Sequence, residues 1–251
     1  MAKQKGIIPL KGTIGNITFY KSGDGYLAKE KGGIDANRIA TDPAFQRTRE
    51  NGAEFGRAGQ GTKMLRMALR QLIQNSADRL MTSRLVREMM TVIKADATNE
   101  RGRRNIIDGE TELLEGFDFN VNGKLSTTLF APFTANINRV TGALAVNIPS
   151  FIPANVIQAP AGTTHFKIVS GGAEIDFENK TYVADKQSTV ELAWDNTATA
   201  VINLDNAVTA ASTHPLFLAL GVEFLQEVNG AFYPLKNGAF NALSLVKVSG
   251  V

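Results

Sequence analysis

Near residue 110 the sequence changes its period, and that change limits the folds open to it. Before it, apolar residues recur at helical spacing: Phe55, Ala58, Thr62, Leu65, Leu69 and Leu72 lie three or four residues apart, a short heptad seam. After it come short runs rich in β-branched and aromatic residues, separated by Asn-Gly and Gly-Gly pairs. Helices first and strands second point to an α+β chain rather than an alternating α/β one.

Residues 1–33 predict a β-hairpin. Thr13, Ile14, Ile17, Thr18, Phe19 and Tyr20 favour extended backbone, Ser22-Gly23-Asp24-Gly25 makes a turn, and Tyr26-Leu27-Ala28 resumes the strand pattern. Two strands alone are marginal in water, so the hairpin is expected to dock on something or to receive another chain's strand. Asp42 and Pro43 then supply an N-cap and a first helical residue. Gly52, Gly56, Gly59 and Gly61 interrupt the helix that follows, each at a cost of about 1 kcal/mol against alanine. Either the helix breaks near Gly59 to Gly61, or Gly52 and Gly56 admit a closely approaching backbone. A second helix is expected over 77–95, capped by Asn75-Ser76 and antiparallel to the first. Its buried face is Met81, Leu85, Met89 and Val92, flanked by Val86, Met90 and Ile93.

Strands are expected at 124–130, 143–148, 165–169, 174–177, 189–194, 200–204, 215–227, 231–235 and 239–248. Asn122-Gly123, Gly171-Gly172, Asn229-Gly230 and Asn237-Gly238 serve as turns between them. The architecture predicted is an N-terminal β-hairpin and antiparallel helical pair followed by a mostly antiparallel β-sandwich. It divides into a hairpin plus basic helical region, 1–116, and an acidic sandwich domain, 117–251, expected to fold without the helices.

Charge follows the same division. Residues 1–104 hold 20 Lys/Arg against 10 Asp/Glu, and residues 105–251 hold 7 against 14. Twelve of the thirteen arginines lie between Arg38 and Arg104, Arg139 being the exception. Opposite charge at the two ends suits head-to-tail stacking, and it equally suits a polyanion held at one end. The candidate contacts are Arg47, Arg57, Arg66, Arg70, Arg79, Arg84 and Arg87. Phe45 and Phe55 are the only aromatic residues of the helical part, too few for the stacking set a single-stranded nucleic acid uses.

Catalytic chemistry finds little material here. The chain of 251 residues has no cysteine and two histidines, His165 and His214, with no serine elbow near either. Glycines 56, 59 and 61 beside Lys63 lack the phosphate-loop spacing, and the acids between Asp108 and Asp118 fit a solvated connector better than a calcium loop. No catalytic, cofactor-binding or metal-binding residue is assigned, and no cofactor or enzymatic activity is expected. The start of the chain lacks the apolar core of a standard signal peptide, and no run approaches the roughly 18 apolar residues of a membrane span. Synthesis in the cytoplasm is therefore expected.

The segments Gly12-Thr13-Ile14-Gly15-Asn16-Ile17-Thr18-Phe19-Tyr20, Tyr26-Leu27-Ala28-Lys29 and Thr41-Asp42-Pro43-Ala44-Phe45-Gln46-Arg47 resemble the opening of a family of uncharacterised bacterial proteins. These share a glycine-punctuated hairpin, a Pro-started helix and a C-terminal β-sandwich. The likeness is good over about the first 50 residues and holds only in outline beyond them. Asp42-Pro43 stands where Thr-Pro is commoner in that family. The resemblance implies architecture, and a setting among phage or mobile-element structural proteins in a virion-like or extracellular assembly. It brings no activity. The expected function is a non-enzymatic subunit that assembles with itself into a filament, tube, shell or surface layer, through charge complementarity and hairpin contacts. The alternatives are a nucleic-acid-binding protein using the Arg-rich helices and a carbohydrate-binding or enzymatic β-sandwich.

Overall fold

The computed structural model describes residues 2–6, 8–30 and 33–250. Two compact units divide the chain at residues 49 and 50. In the first, strands β1 (Ala2–Lys3), β2 (Gly12–Ile14), β3 (Ile17–Ser22) and β4 (Gly25–Glu30) form an antiparallel sheet in the order β1-β4-β3-β2. The predicted hairpin is β3–β4, and the glycine-punctuated start adds a strand on either side. A short helix α1 (Ala36–Thr41) follows, with Asp35 accepting a hydrogen bond from the Asn37 amide at 3.0 Å. Asp42 then caps a single 3-10 turn, Pro43–Phe45, by accepting from the Ala44 amide at 2.9 Å. The sequence signal for a helix start is thus used by this turn, immediately ahead of helix α2 (Gln46–Ala68).

Helix α2 runs unbroken past all four glycines. Gly61 explains why one of them is there: a Cβ at this position would lie 2.1 Å from Cδ1 of Ile106. Gly52, Gly56 and Gly59 have no atom within 4 Å of where a Cβ would be. Close approach therefore occurs at Gly61, where a break was expected, and not at Gly52 or Gly56. Helix α3 (Arg70–Ile73) turns the chain, and α4 (Met81–Ala95) buries Met81, Leu85, Met89, Val92 and Ile93 as its stripe predicts. The cap expected at Asn75-Ser76 is not used: the N-cap position is Leu80, with no side-chain cap, and Asp78 orders the turn before it by accepting from the Leu80 amide at 2.6 Å and pairing with Arg84.

After a 3-10 turn (Thr111–Leu114), helix α5 (Leu125–Thr128) occupies the place of an expected strand. Strands β5 (Thr134–Asn138) and β6 (Ala143–Ile148) follow, then helix α6 (Pro153–Val156). Seven strands follow, β7 (His165–Asp176), β8 (Thr181–Ser188), β9 (Leu192–Ala193), β10 (Ile202–Ala207), β11 (Leu216–Val228), β12 (Ala231–Pro234) and β13 (Ala242–Ser249), with a 3-10 turn (Leu235–Gly238) between the last two. Strands β7 and β11 are the antiparallel centre of a six-stranded sheet, in register from Leu216 opposite Glu174 to Leu225 opposite His165. β8 and β9 flank β7, while β12 and β13 flank β11. A three-stranded sheet, β10-β6-β5, forms the second layer.

The side-chain alternation of the central strands builds two cores. Phe166, Ile168, Leu218, Leu220, Val222 and Phe224 face Leu144, Val146, Ile148, Ile202 and Leu204 of the smaller sheet. Val169, Ala173, Ile175, Phe217 and Ala219 face the other way, onto Leu65, Leu69, Leu72, Leu85 and Met89 of the helices. A strand buried on both faces reads as continuous apolar sequence, which is the character of Leu216 to Val222. The α+β fold is present, but the expected boundary at 116/117 is corrected. Helices α2 to α4 cover one face of the large sheet, so they and the strands form one body.

Gly171-Gly172, expected as a turn, lies in the middle of β7. A Cβ on Gly171 would meet Leu72 Cδ1 at 2.5 Å, and one on Gly172 would meet Asn206 Cβ at 2.8 Å. The glycines thin the strand so that the helical layer and the small sheet both reach it. Arg139, the isolated arginine, gathers the end of the chain. Its guanidinium donates to the carbonyls of Ser212 and His214 at 2.8 Å each, to Ser249 O at 3.1 Å and Ser249 Oγ at 2.9 Å, and to the carbonyl of Gly250.

Candidate assembly surface

The seven candidate arginines do not form one basic face. Arg57 donates to the carbonyls of Gly102 and Arg104 at 2.8 Å each, bracing the loop after α4. Arg84 pairs with Asp78, donates to the Asp118 carbonyl at 2.8 Å and lies over the Phe117 ring, 5.1 Å from its centre. Both are committed to the fold. Arg87 pairs with its neighbour Glu88 at 2.8 Å. Arg47 is exposed. Arg66, Arg70 and Arg79 are exposed and make no ion pair among the described residues. The reading of Arg57 and Arg84 as surface contacts is therefore corrected: each is needed to satisfy backbone carbonyls in a loop that has no regular structure.

The acids between 108 and 118 are not a free connector either. Asp108 accepts from Asn99 and Asn105 at 2.8 and 2.7 Å, Glu112 from the Gly250 amide at 2.6 Å, and Glu115 from the Val248 amide at 3.3 Å. Burial pushes the Asp118 carboxyl above its ordinary value, against a hydrogen bond from the Leu125 amide. Glu115 and Glu112 pin the segment to β13 and to Gly250 just after it, while Asp108 ties it to the loop after α4.

His165 Nδ1 lies 3.0 Å from the Thr164 hydroxyl, which also accepts from the Glu227 amide at 2.7 Å. His214 Nδ1 lies 3.0 Å from Glu174 Oε1 and its Nε2 3.6 Å from Asp176. The Ser212 hydroxyl donates to the same Glu174 oxygen at 2.7 Å, so the carboxylate separates serine from imidazole. Burial opposes ionisation of Glu174, but the donors from Thr209, Ser212 and His214 outweigh it and hold the carboxyl below its ordinary value. His165 stacks edge-on to Phe232 at 4.6 Å between ring centres. An open groove of about 790 Å³ runs beside α2, with Arg57, Lys63, Met64, Met67, Ile106 and Phe177 on its walls.

The first unit carries the least satisfied surface. Leu27 is its one buried side chain among the described residues. Cross-strand partners share a face, so the pairs Ile14–Ile17, Phe19–Ala28 and Lys21–Tyr26 place Ile14, Ile17, Phe19, Ala28 and Tyr26 together. Ile14 is 65% exposed and Ile17 46%. This unit has nine Lys/Arg and four Asp/Glu, net +5, whereas residues 50–251 are net −2.

A second open surface lies at the far end of the large sheet, where β11 and β12 project as a hairpin. All four residues of β12 are exposed, Phe232 at 41% and Tyr233 at 55%. Between residues 223 and 234 the hairpin has two acids, Glu223 and Glu227, and no cation. The sequence identifies this strand and its Asn229-Gly230 turn. It does not reveal that nothing packs outside it, because edge and interior strands share one pattern. Comparison with protein-family models, curated proteins and solved structures found no match.

Proposed function

We propose that the protein is a non-enzymatic structural subunit that assembles with copies of itself, and that its N-terminal sheet is the joining element. The uncovered face of Ile14, Ile17 and Phe19 carries this reading. A small sheet gains its stability by covering an apolar face, and among its described residues this unit buries a single leucine. Fully covering an isoleucine contributes about 1.5–3 kcal/mol, so a neighbour that covers Ile14 and Ile17 stabilises both the sheet and the contact. The excess positive charge of the unit steers it to a negative surface.

Sedimentation velocity of nuclease-treated protein over a range of concentration tests the proposal. Association that rises with concentration, visible as ordered particles by electron microscopy, is the expected result. Protein that stays monomeric at high concentration refutes it. Nucleic acid that copurifies and is released with a steep salt dependence supports instead the polyanion-binding alternative, to which Arg66, Arg70 and Arg79 offer exposed cations.

A further inference from the structure

Two strand edges of opposite charge stand open on this chain. In the first unit, Ile14 and Ile17 flank the two-residue turn Gly15-Asn16, which makes them a hydrogen-bonded pair. Pairs alternate along an antiparallel ladder, so Thr13 opposite Thr18 is a wide pair whose backbone N–H and C=O point away from β3. β2 is the end strand of its sheet, and among the described residues no strand of that sheet receives them. In the second unit the same geometry recurs. Val228 and Ala231 flank the Asn229-Gly230 turn, and Phe232 opposite Glu227 is the wide pair. The Glu227 amide confirms the alternation by donating to Thr164 Oγ1 at 2.7 Å, away from β12. The Phe232 N–H and C=O accordingly face outward.

We propose that the β2 edge of one copy adds to the β12 edge of the next, so that the two sheets join in a heterologous, head-to-tail contact. This rests on the self-assembly reading and names the partner surface within it. Charge selects this pairing over the symmetric one. The strands and turns of residues 2–30 carry five lysines against Asp24 and Glu30, so two β2 edges repel each other, as do two acidic β12 hairpins. The mixed pairing brings Glu223 and Glu227 to the basic sheet. With Phe232 opposite Thr13, Tyr233 falls on the face of the exposed Ile14 and Ile17, and Phe232 on the other face, with Thr13 and Thr18. A heterologous contact leaves one free edge at each end, so it propagates into a ring or an open filament.

Two single-site variants and their mixture test the contact. Ile17→Lys blocks the donor edge and Phe232→Lys blocks the acceptor edge, each checked for native circular dichroism and a cooperative melt. Each variant alone is expected to associate at least about tenfold more weakly than the parent. An equimolar mixture is expected to give a discrete heterodimer and stop, because one intact junction remains. If Phe232→Lys assembles like the parent, the acceptor edge is wrong while self-assembly stands. If both variants fail and their mixture stays monomeric, the contact is not heterologous. A monomeric parent removes both readings. Cysteine pairing gives a readout that does not depend on the lysine variants folding well. The chain has no cysteine of its own, and across the junction Thr13 and Phe232 would form a hydrogen-bonded pair with Cα atoms about 5.5 Å apart, within disulfide reach. A Thr13→Cys copy mixed with a Phe232→Cys copy is expected to cross-link as a heterodimer under mild oxidation. Homodimers only, or no cross-link beyond random collision, overturn the proposal.

Discussion

Glu54 illustrates what a single side chain can decide in a helix that looks weak. It is almost fully buried, and Arg104 grips both its oxygens, Nε at 2.8 Å and Nη2 at 2.9 Å, while the Gly102 amide donates at 2.8 Å. The arginine's hydrogen bonds hold the carboxyl below its ordinary value of 4.5 against the opposing effect of burial. A native-state value below the unfolded one means that the stabilisation is present at neutral pH. It is lost as pH falls below that ordinary value and through the native one. Glu54→Gln is expected to destabilise the protein by about 3 kcal/mol at pH 7, since it leaves Arg104 without its counter-charge. The difference should shrink in acid, and urea denaturation at pH 7 and pH 4 measures both quantities. Sequence reading passes over this residue. One acid in a basic segment has no spacing signal, and its partner is 50 positions away.

Among the elements, α2 shows how one residue type carries opposite meanings. Gly56 faces open space, so Gly56→Ala should stabilise by about 1 kcal/mol through helix propensity alone. Gly61→Ala should instead destabilise, by roughly 1–3 kcal/mol, because its methyl group overlaps Ile106. Thermal melts of the two variants should move in opposite directions. The heptad seam is legible from Ala58 to Leu72, since periodicity reports a face. Phe55, at the head of the same seam, is 60% exposed, although Glu54 beside it is buried. Gly171-Gly172 misleads as well. Composition says where backbone is free to turn, but not where two layers press on a strand from both sides. The candidate surface was legible as a hairpin needing company, and the arginines were not. Whether a guanidinium points to solvent or to a loop carbonyl depends on tertiary contacts that no local pattern encodes.

At the scale of the whole molecule, the composition boundary near residue 110 and the folding boundary differ. Residues 117–251 alone would expose Val169, Ile175, Phe217, Leu243 and Leu245, the sheet's half of the core it shares with the helices. That fragment is expected to be molten or insoluble. Residues 50–251 keep both halves, so they should melt cooperatively and give dispersed amide signals by NMR. A well-ordered 117–251 fragment would show that the helices only decorate the sheet.

Arg139 gives the end of the chain a mechanical character. β13 lies along β11, and Arg139 fastens Ser249 and Gly250 at one end of it to the Ser212 and His214 carbonyls ahead of β11. Tension applied at the C-terminus must therefore rupture this rivet before the strand can peel, one rung after another. Optical-trap pulling should find that Arg139→Gln lowers the first rupture force at the C-terminal end while leaving later events unchanged.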